Sequence, residues 1–117
     1  METRTMPALH EIYDEGDRLR EEGKFEEAVA KFREILEQDE SYSLAHCALA
    51  VVQQRLGRHD EAIGHAKRVC ELEPNDPVSH AQLSVIYQRA FAGTNDQRYI
   101  QEAEDAMARS HTAQGGG

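Results

Sequence analysis

Apolar residues recur along this chain at three-to-four spacing. Leu9, Ile12, Gly16 and Leu19 fall on one face of a helix, and Phe25, Ala28, Val29, Phe32, Ile35 and Leu36 on one face of the next. Period-two alternation, the mark of a half-buried strand, is nowhere sustained. Glycine and proline punctuate the pattern. Gly23 and Gly57 stand where a first helix must end in a left-handed residue, and Asn75-Asp76-Pro77 supplies an N-cap followed by proline at the first helical position. The spacing predicts six helices, over about residues 8–22, 25–38, 43–56, 59–72, 77–92 and 97–111. Short turns between them make three antiparallel hairpins.

The pattern also repeats. Shifted by 34 residues, Gly23-Lys24-Phe25-Glu26-Glu27-Ala28-Val29 matches Gly57-Arg58-His59-Asp60-Glu61-Ala62-Ile63, and the match continues through Arg33/Lys67, Ile35/Val69 and Glu37/Glu71. A second match pairs His46, Leu49, Val51, Gln54 and Arg55 with His80, Leu83, Val85, Gln88 and Arg89. These residues resemble the tetratricopeptide repeat, a 34-residue helix-turn-helix unit with a pattern of small and aromatic residues ending near a proline. Gly23…Ala28-x3-Phe32, Gly57…Ala62-x3-Ala66…Pro74 and Leu83-Ser84-x2-Tyr87…Ala103-x3-Met107 carry the resemblance. It implies an all-α fold: an α-solenoid of three antiparallel hairpins wound as a right-handed superhelix. The repeats would occupy residues 8–112 (about 8–42, 43–76 and 77–112), between an N-terminal tail, 1–7, and a flexible Gly-rich tail, 113–117. The first and third units depart from the pattern. The bulky position near each start holds Ile12, His46 and His80, and the terminal proline is Glu40 in the first unit. Ala62 to Ala103 spans 41 residues, so the third hairpin must absorb seven more around Arg89 to Tyr99; a helix longer by about one turn and a wider loop would do so.

Charge narrows the partners. The 117 residues carry 13 Lys and Arg against 22 Asp and Glu, a net charge of −9 that opposes binding to nucleic acid and to anionic membranes. The excess is local, with thirteen acids and six bases in residues 1–40. No window approaches eighteen apolar residues, and Met1 to His10 has neither an apolar stretch nor a cleavage pattern. Membrane insertion is not expected, and a cytoplasmic location is.

Chemistry-bearing motifs are absent: no phosphate-cradling glycine loop, no GxSxG and no HExxH occurs. No catalytic role, cofactor or metal is expected. Cys47 and Cys70 sit inside apolar helical patterns without a CxxC and read as reduced small hydrophobes. His46 and His80 occupy equivalent places on stacked first helices and are expected as neighbours across the repeat interface, filling a bulky packing position. The acids Glu21, Glu22, Glu26, Glu27, Glu34, Glu37, Asp39 and Glu40 read as a solvated face, with Glu27 and Lys31 at the i,i+4 spacing of a supporting ion pair.

In the family the sequence resembles, the first helices of successive units line a concave groove that takes an extended or helical peptide. Those places hold His10, Tyr13, Asp14, Asp17 and Arg20 in the first unit. In the second they hold Leu44, Cys47, Ala48, Val51, Gln54 and Arg55, and in the third Val78, Ala81, Gln82, Val85, Gln88 and Arg89. The floor is apolar and small, and the recurring Gln and Arg would edge it with donors. Carboxylate-gripping members of the family carry lysines, asparagines and an arginine at places that read Tyr13, Asp17, Ala48, Val78 and Gln82 here, so a clamp for acidic chaperone tails is not expected. The expected function is a non-catalytic scaffold or adaptor that binds a protein or peptide partner. The alternative is a self-associating scaffold, a homodimer, to which a chain without a seventh, solvating helix would lend itself; Glu102, Glu104, Asp105 and Arg109 make its last outer face polar.

Overall fold

The computed structural model describes residues 8–115, and the tail residues 1–7, Gly116 and Gly117 lie outside the described residues. Six helices follow one another: α1 (Leu9–Glu21), α2 (Phe25–Gln38), α3 (Ser43–Arg55), α4 (His59–Leu72), α5 (Pro77–Thr94) and α6 (Arg98–Gly115). Each pairs with the next into an antiparallel hairpin, and the hairpins stack in order through the odd-numbered helices. The result is an all-α right-handed solenoid, elongated at 56 × 35 × 20 Å.

Local chemistry sets the hairpins. Gly23 and Gly57 have φ of 79° and 78°. At each, the chain closes the preceding helix with two bonds: Lys24 N–H to Leu19 O and Gly23 N–H to Arg20 O, then Arg58 N–H to Gln53 O and Gly57 N–H to Gln54 O. Within the first hairpin the helices approach closely at Gly16, where a Cβ would lie 2.7 Å from Phe32 Cε1. Asp76 caps α5, its carboxylate accepting from Val78 N–H at 3.1 Å and from the Ser79 hydroxyl at 3.0 Å.

The core has two parts. One joins Ile12, Leu19, Ala28, Val29, Phe32 and Ile35 of the first hairpin to Ala45, Leu49 and Val52 of α3. The other joins Ala50, Ala62, Ile63 and Ala66 to Leu83, Ile86, Tyr87 and Ala90 of α5 and to Ala103 and Ala106 of α6. Each new hairpin thus completes the core of its predecessor through its first helix.

The third hairpin absorbs its extra residues as a longer α5, 18 residues against 13 in α1 and α3, and a turn at Asn95, whose φ is 63°. Gly93 lies in the added helical length; a Cβ there would lie 2.5 Å from His59 Nε2, so the long helix passes close over α4. The last helix also outruns the boundary expected at residue 112, continuing to Gly115, so 113–115 belong to α6 and not to a Gly-rich tail. Near its end the Ser110 hydroxyl donates to Pro77 O at 2.8 Å, fastening α6 to the start of α5. Among the described residues no helix is long and apolar enough to cross a membrane.

Candidate functional site

Because α1, α3 and α5 lie side by side, residues on their free faces share one surface. Tyr13, Asp17 and Arg20 of α1, Cys47, Ala48 and Val51 of α3 and Gln82 of α5 line a single cavity of about 230 Å³. The Gln82 amide donates to Cys47 O at 3.4 Å, tying α5 to the α3 floor. Tyr13 leans on Phe32, with ring centroids 5.5 Å apart, and burial together with Asp17 pushes its phenol up from the ordinary value. Burial likewise pushes the Cys47 thiol up; Cys47 and Cys70 are both free and half-buried.

The apolar content of this surface stands out against burial elsewhere. Leu44 is 54 % exposed, Val51 37 %, Val78 71 % and Val85 40 %, and these are four of the five large hydrophobic side chains left exposed among the described residues. All four lie on α3 and α5 at the groove places. Ala81 between them is half-buried.

The polar places are dispersed. Arg55 carries its guanidinium over the Phe25 ring, 5.2 Å from the centroid. Gln88 donates to Ser84 Oγ at 3.2 Å and borders a different cavity, between α5 and α6. Gln54 is half-buried and Arg89 exposed. The Gln and Arg that recur in sequence therefore do not form one rim. Asp17 is paired: Arg20 Nε donates to its carboxylate at 3.0 Å.

The histidines are arranged differently from the sequence expectation. The neighbour of His46 is His65 on α4, with Nδ1 to Nδ1 2.9 Å, and not His80. His46 Nε2 lies 2.7 Å from Glu40 O. A carbonyl only accepts, so Nε2 donates to it, and in the tautomer that carries its proton on Nε2, Nδ1 accepts from His65. His80 repeats the first contact, Nε2 to Pro74 O at 2.8 Å, but Ala106 occupies the place of His65 and its Nδ1 has no partner. Both rings thus brace the turn that precedes their own helix. Among the described residues no three His, Cys, Asp or Glu converge as metal ligands do.

The acids of the first unit also differ. Lys31 pairs with Glu15 at 3.4 Å and Glu34 at 3.5 Å, leaving Glu27 aside. Glu26 meets Arg58, and Glu40 takes both Arg68 Nε at 2.7 Å and Nη2 at 2.8 Å. Part of the acidic face is used to tie the first hairpin to the second.

Sequence reasoning missed one feature. The last outer face was read as polar from Glu102, Glu104, Asp105 and Arg109, yet only Glu104 of these borders the α5–α6 cavity, beside Phe91, Ile100, Ala103 and Met107. Advancing Ala50, Ala62 and Ala66 through the repeat to Ser84, Ala103 and Met107 is the signal that would have found it.

Comparison with known proteins places this geometry. Structurally similar chains include one in the CopN-Scc3 complex, at 18 % identity and TM-score 0.76, covering 90 % of this chain and 58 % of that one. Another is the type III secretion translocator chaperone SycD of Yersinia enterocolitica, at 17 % and 0.77, covering 93 % of this chain and 77 % of that one. A third is the second TPR of Spaghetti (RPAP3) bound to the HSP90 peptide SRMEEVD, at 18 % and 0.73, covering 90 % and 91 %. The present chain therefore spans less than two thirds of the first of these. Comparison with curated protein sequences gives no match. The sequence profile described as Tetratricopeptide repeat matches residues 13–77, more than half of the chain. With that match and three stacked hairpins of the same build, the chain belongs to the tetratricopeptide repeat family.

Proposed function

We propose that this protein is a non-catalytic protein-interaction module that holds a peptide or amphipathic helix of a partner along the free faces of α3 and α5. The observation that carries the reading is the exposure of Leu44, Val51, Val78 and Val85 on α3 and α5, while Ile100 alone of the other large hydrophobics of the described residues is exposed. Exposed apolar side chains grouped in this way mark an interaction surface. Cys47, Ala48 and Ala81 keep the floor low enough for a partner backbone to approach. The similarity to SycD, a translocator chaperone, and to a repeat domain bound to an HSP90 peptide supports a protein partner. It does not extend to the acidic-tail ligand, because Tyr13, Asp17, Ala48, Val78 and Gln82 offer no cation to a carboxylate. Arg20, which lines the same cavity, is taken up by Asp17.

Replacing Val51 and Val85 together by Asp tests the reading. Both are partly exposed, so helicity by circular dichroism should be unchanged, while the partner captured by the wild-type protein from its native lysate is lost. Equal capture by wild type and variant would contradict the assignment.

A further inference from the structure

The two ends of the solenoid differ, and the repeat shows why. A first helix lies on the hairpin before it through four positions: Ala45, Leu49, Val52 and Leu56 on α3, and Ser79, Leu83, Ile86 and Ala90 on α5, nearly all buried. At these positions α1 carries Glu11, Glu15, Arg18 and Glu22, with Glu15 held by Lys31 at 3.4 Å and Arg18 near Glu22 at 3.9 Å. Charge closes that end to a further helix. At the opposite end an apolar surface is left uncovered among the described residues. Ala50, Ile63 and Ala66, covered by α5 in the second hairpin, become Ser84, Glu104 and Met107 in the third, and there they border a cavity of about 470 Å³. Phe91, Ile100 and Ala103 supply the rest of its apolar wall. Ile100, 38 % exposed, is the one large exposed hydrophobic among the described residues that the concave surface does not use.

Charge selects the occupant. Glu104 stands where the second hairpin has Ile63, and no ion pair holds it among the described residues. A helix seated here must bring a cation beside it. A second copy brings a face with an acidic excess: its α1 would lay Glu11, Glu15 and Glu22 over Glu104 against one cation, Arg18, which already lies near Glu22, and a two-fold contact would set Glu104 of each copy in one small interface. The net charge of −9 adds to both penalties. We infer that the α5–α6 end face docks an amphipathic helix of a basic partner protein, which takes the place that α3 and α5 take on the first two hairpins. Its small and aliphatic residues, spaced as Ser79, Leu83, Ile86 and Ala90 are, enter the cavity, and a Lys or Arg meets Glu104.

The probe is the α5 sequence itself, an amidated Asp76–Thr94 peptide with added lysines at both ends, titrated into the isotope-labelled full chain. Amide shifts are expected at Gln88, Phe91, Ile100, Glu104 and Met107, with Leu44 and Val51 unmoved. Met107→Glu and Glu104→Lys, each with unchanged circular dichroism, should weaken binding by about tenfold or more. Glutamates in place of the added lysines should weaken it as well. The Val51/Val85 double Asp variant should bind the peptide as the wild type does, which separates this surface from the concave one. Shifts on the concave side, no shift at millimolar peptide, or equal binding of the lysine and glutamate peptides would overturn the inference. So would end-face resonances that move with the concentration of the chain alone, since a second copy would then be the occupant.

Discussion

Gly16 and Gly64 are both helical glycines, and their surroundings predict opposite responses to a methyl group. At Gly16 a Cβ would press on the Phe32 ring at 2.7 Å, and Phe32 is fully buried and cannot step aside. Gly16→Ala should therefore lower stability by about 1–3 kcal/mol through overpacking, against a helix-propensity gain of about 1 kcal/mol. At Gly64 nothing lies within 4 Å, so Gly64→Ala should stabilise by roughly 0.5–1 kcal/mol. Urea midpoints of the two variants measure the contrast. The His46–His65 contact predicts a pH response. Burial first, then His46 and Arg33, hold the His65 imidazole down from 6.5 to about 4. The unfolded chain takes up this proton below 6.5 and the folded chain does not, so the contribution is full above pH 6.5 and lost as pH falls through about 4. His65→Gln should flatten that part of the stability profile, and a variant parallel to wild type from pH 7 to 4 would contradict the assignment.

At the scale of helices, most boundaries were legible because they rest on local chemistry. Gly23, Gly57 and Asp76-Pro77 act through bonds to the nearest few residues, and the helices begin and end within a residue or so of where those signals fall. Asp76→Ala removes the acceptor for Val78 N–H and the Ser79 hydroxyl, and should cost about 1 kcal/mol, read as a lower thermal midpoint. Legibility failed where distant contacts decide. The end of α5 passes close to His59 at Gly93, and Ser110 of α6 reaches back to Pro77, contacts that no local signal announces. The pairing of His46 with His65 was also hidden, since it joins residues 19 apart across a hairpin and follows no helical spacing.

For the whole molecule, the period carried more than composition did. It located the valines that end up exposed together, but a recurring residue type need not keep a recurring role. Arg55 stacks on Phe25, and Gln88 borders the α5–α6 cavity while its counterpart Gln54 is half-buried. Composition gave an acidic face and could not say that Arg33, Arg58 and Arg68 bind Glu61, Glu26 and Glu40 between hairpins. These pairs are largely exposed, so raising salt should change stability only slightly. A photo-crosslinking amino acid shows whether the partner lies on the concave track. It is placed at Val85 in one protein and at Glu37, exposed on α2, in another, each in the native lysate. The account predicts one discrete partner adduct from Val85, mapped to a short apolar segment, and none from Glu37. The same adduct from both positions, or from Glu37 alone, would contradict it.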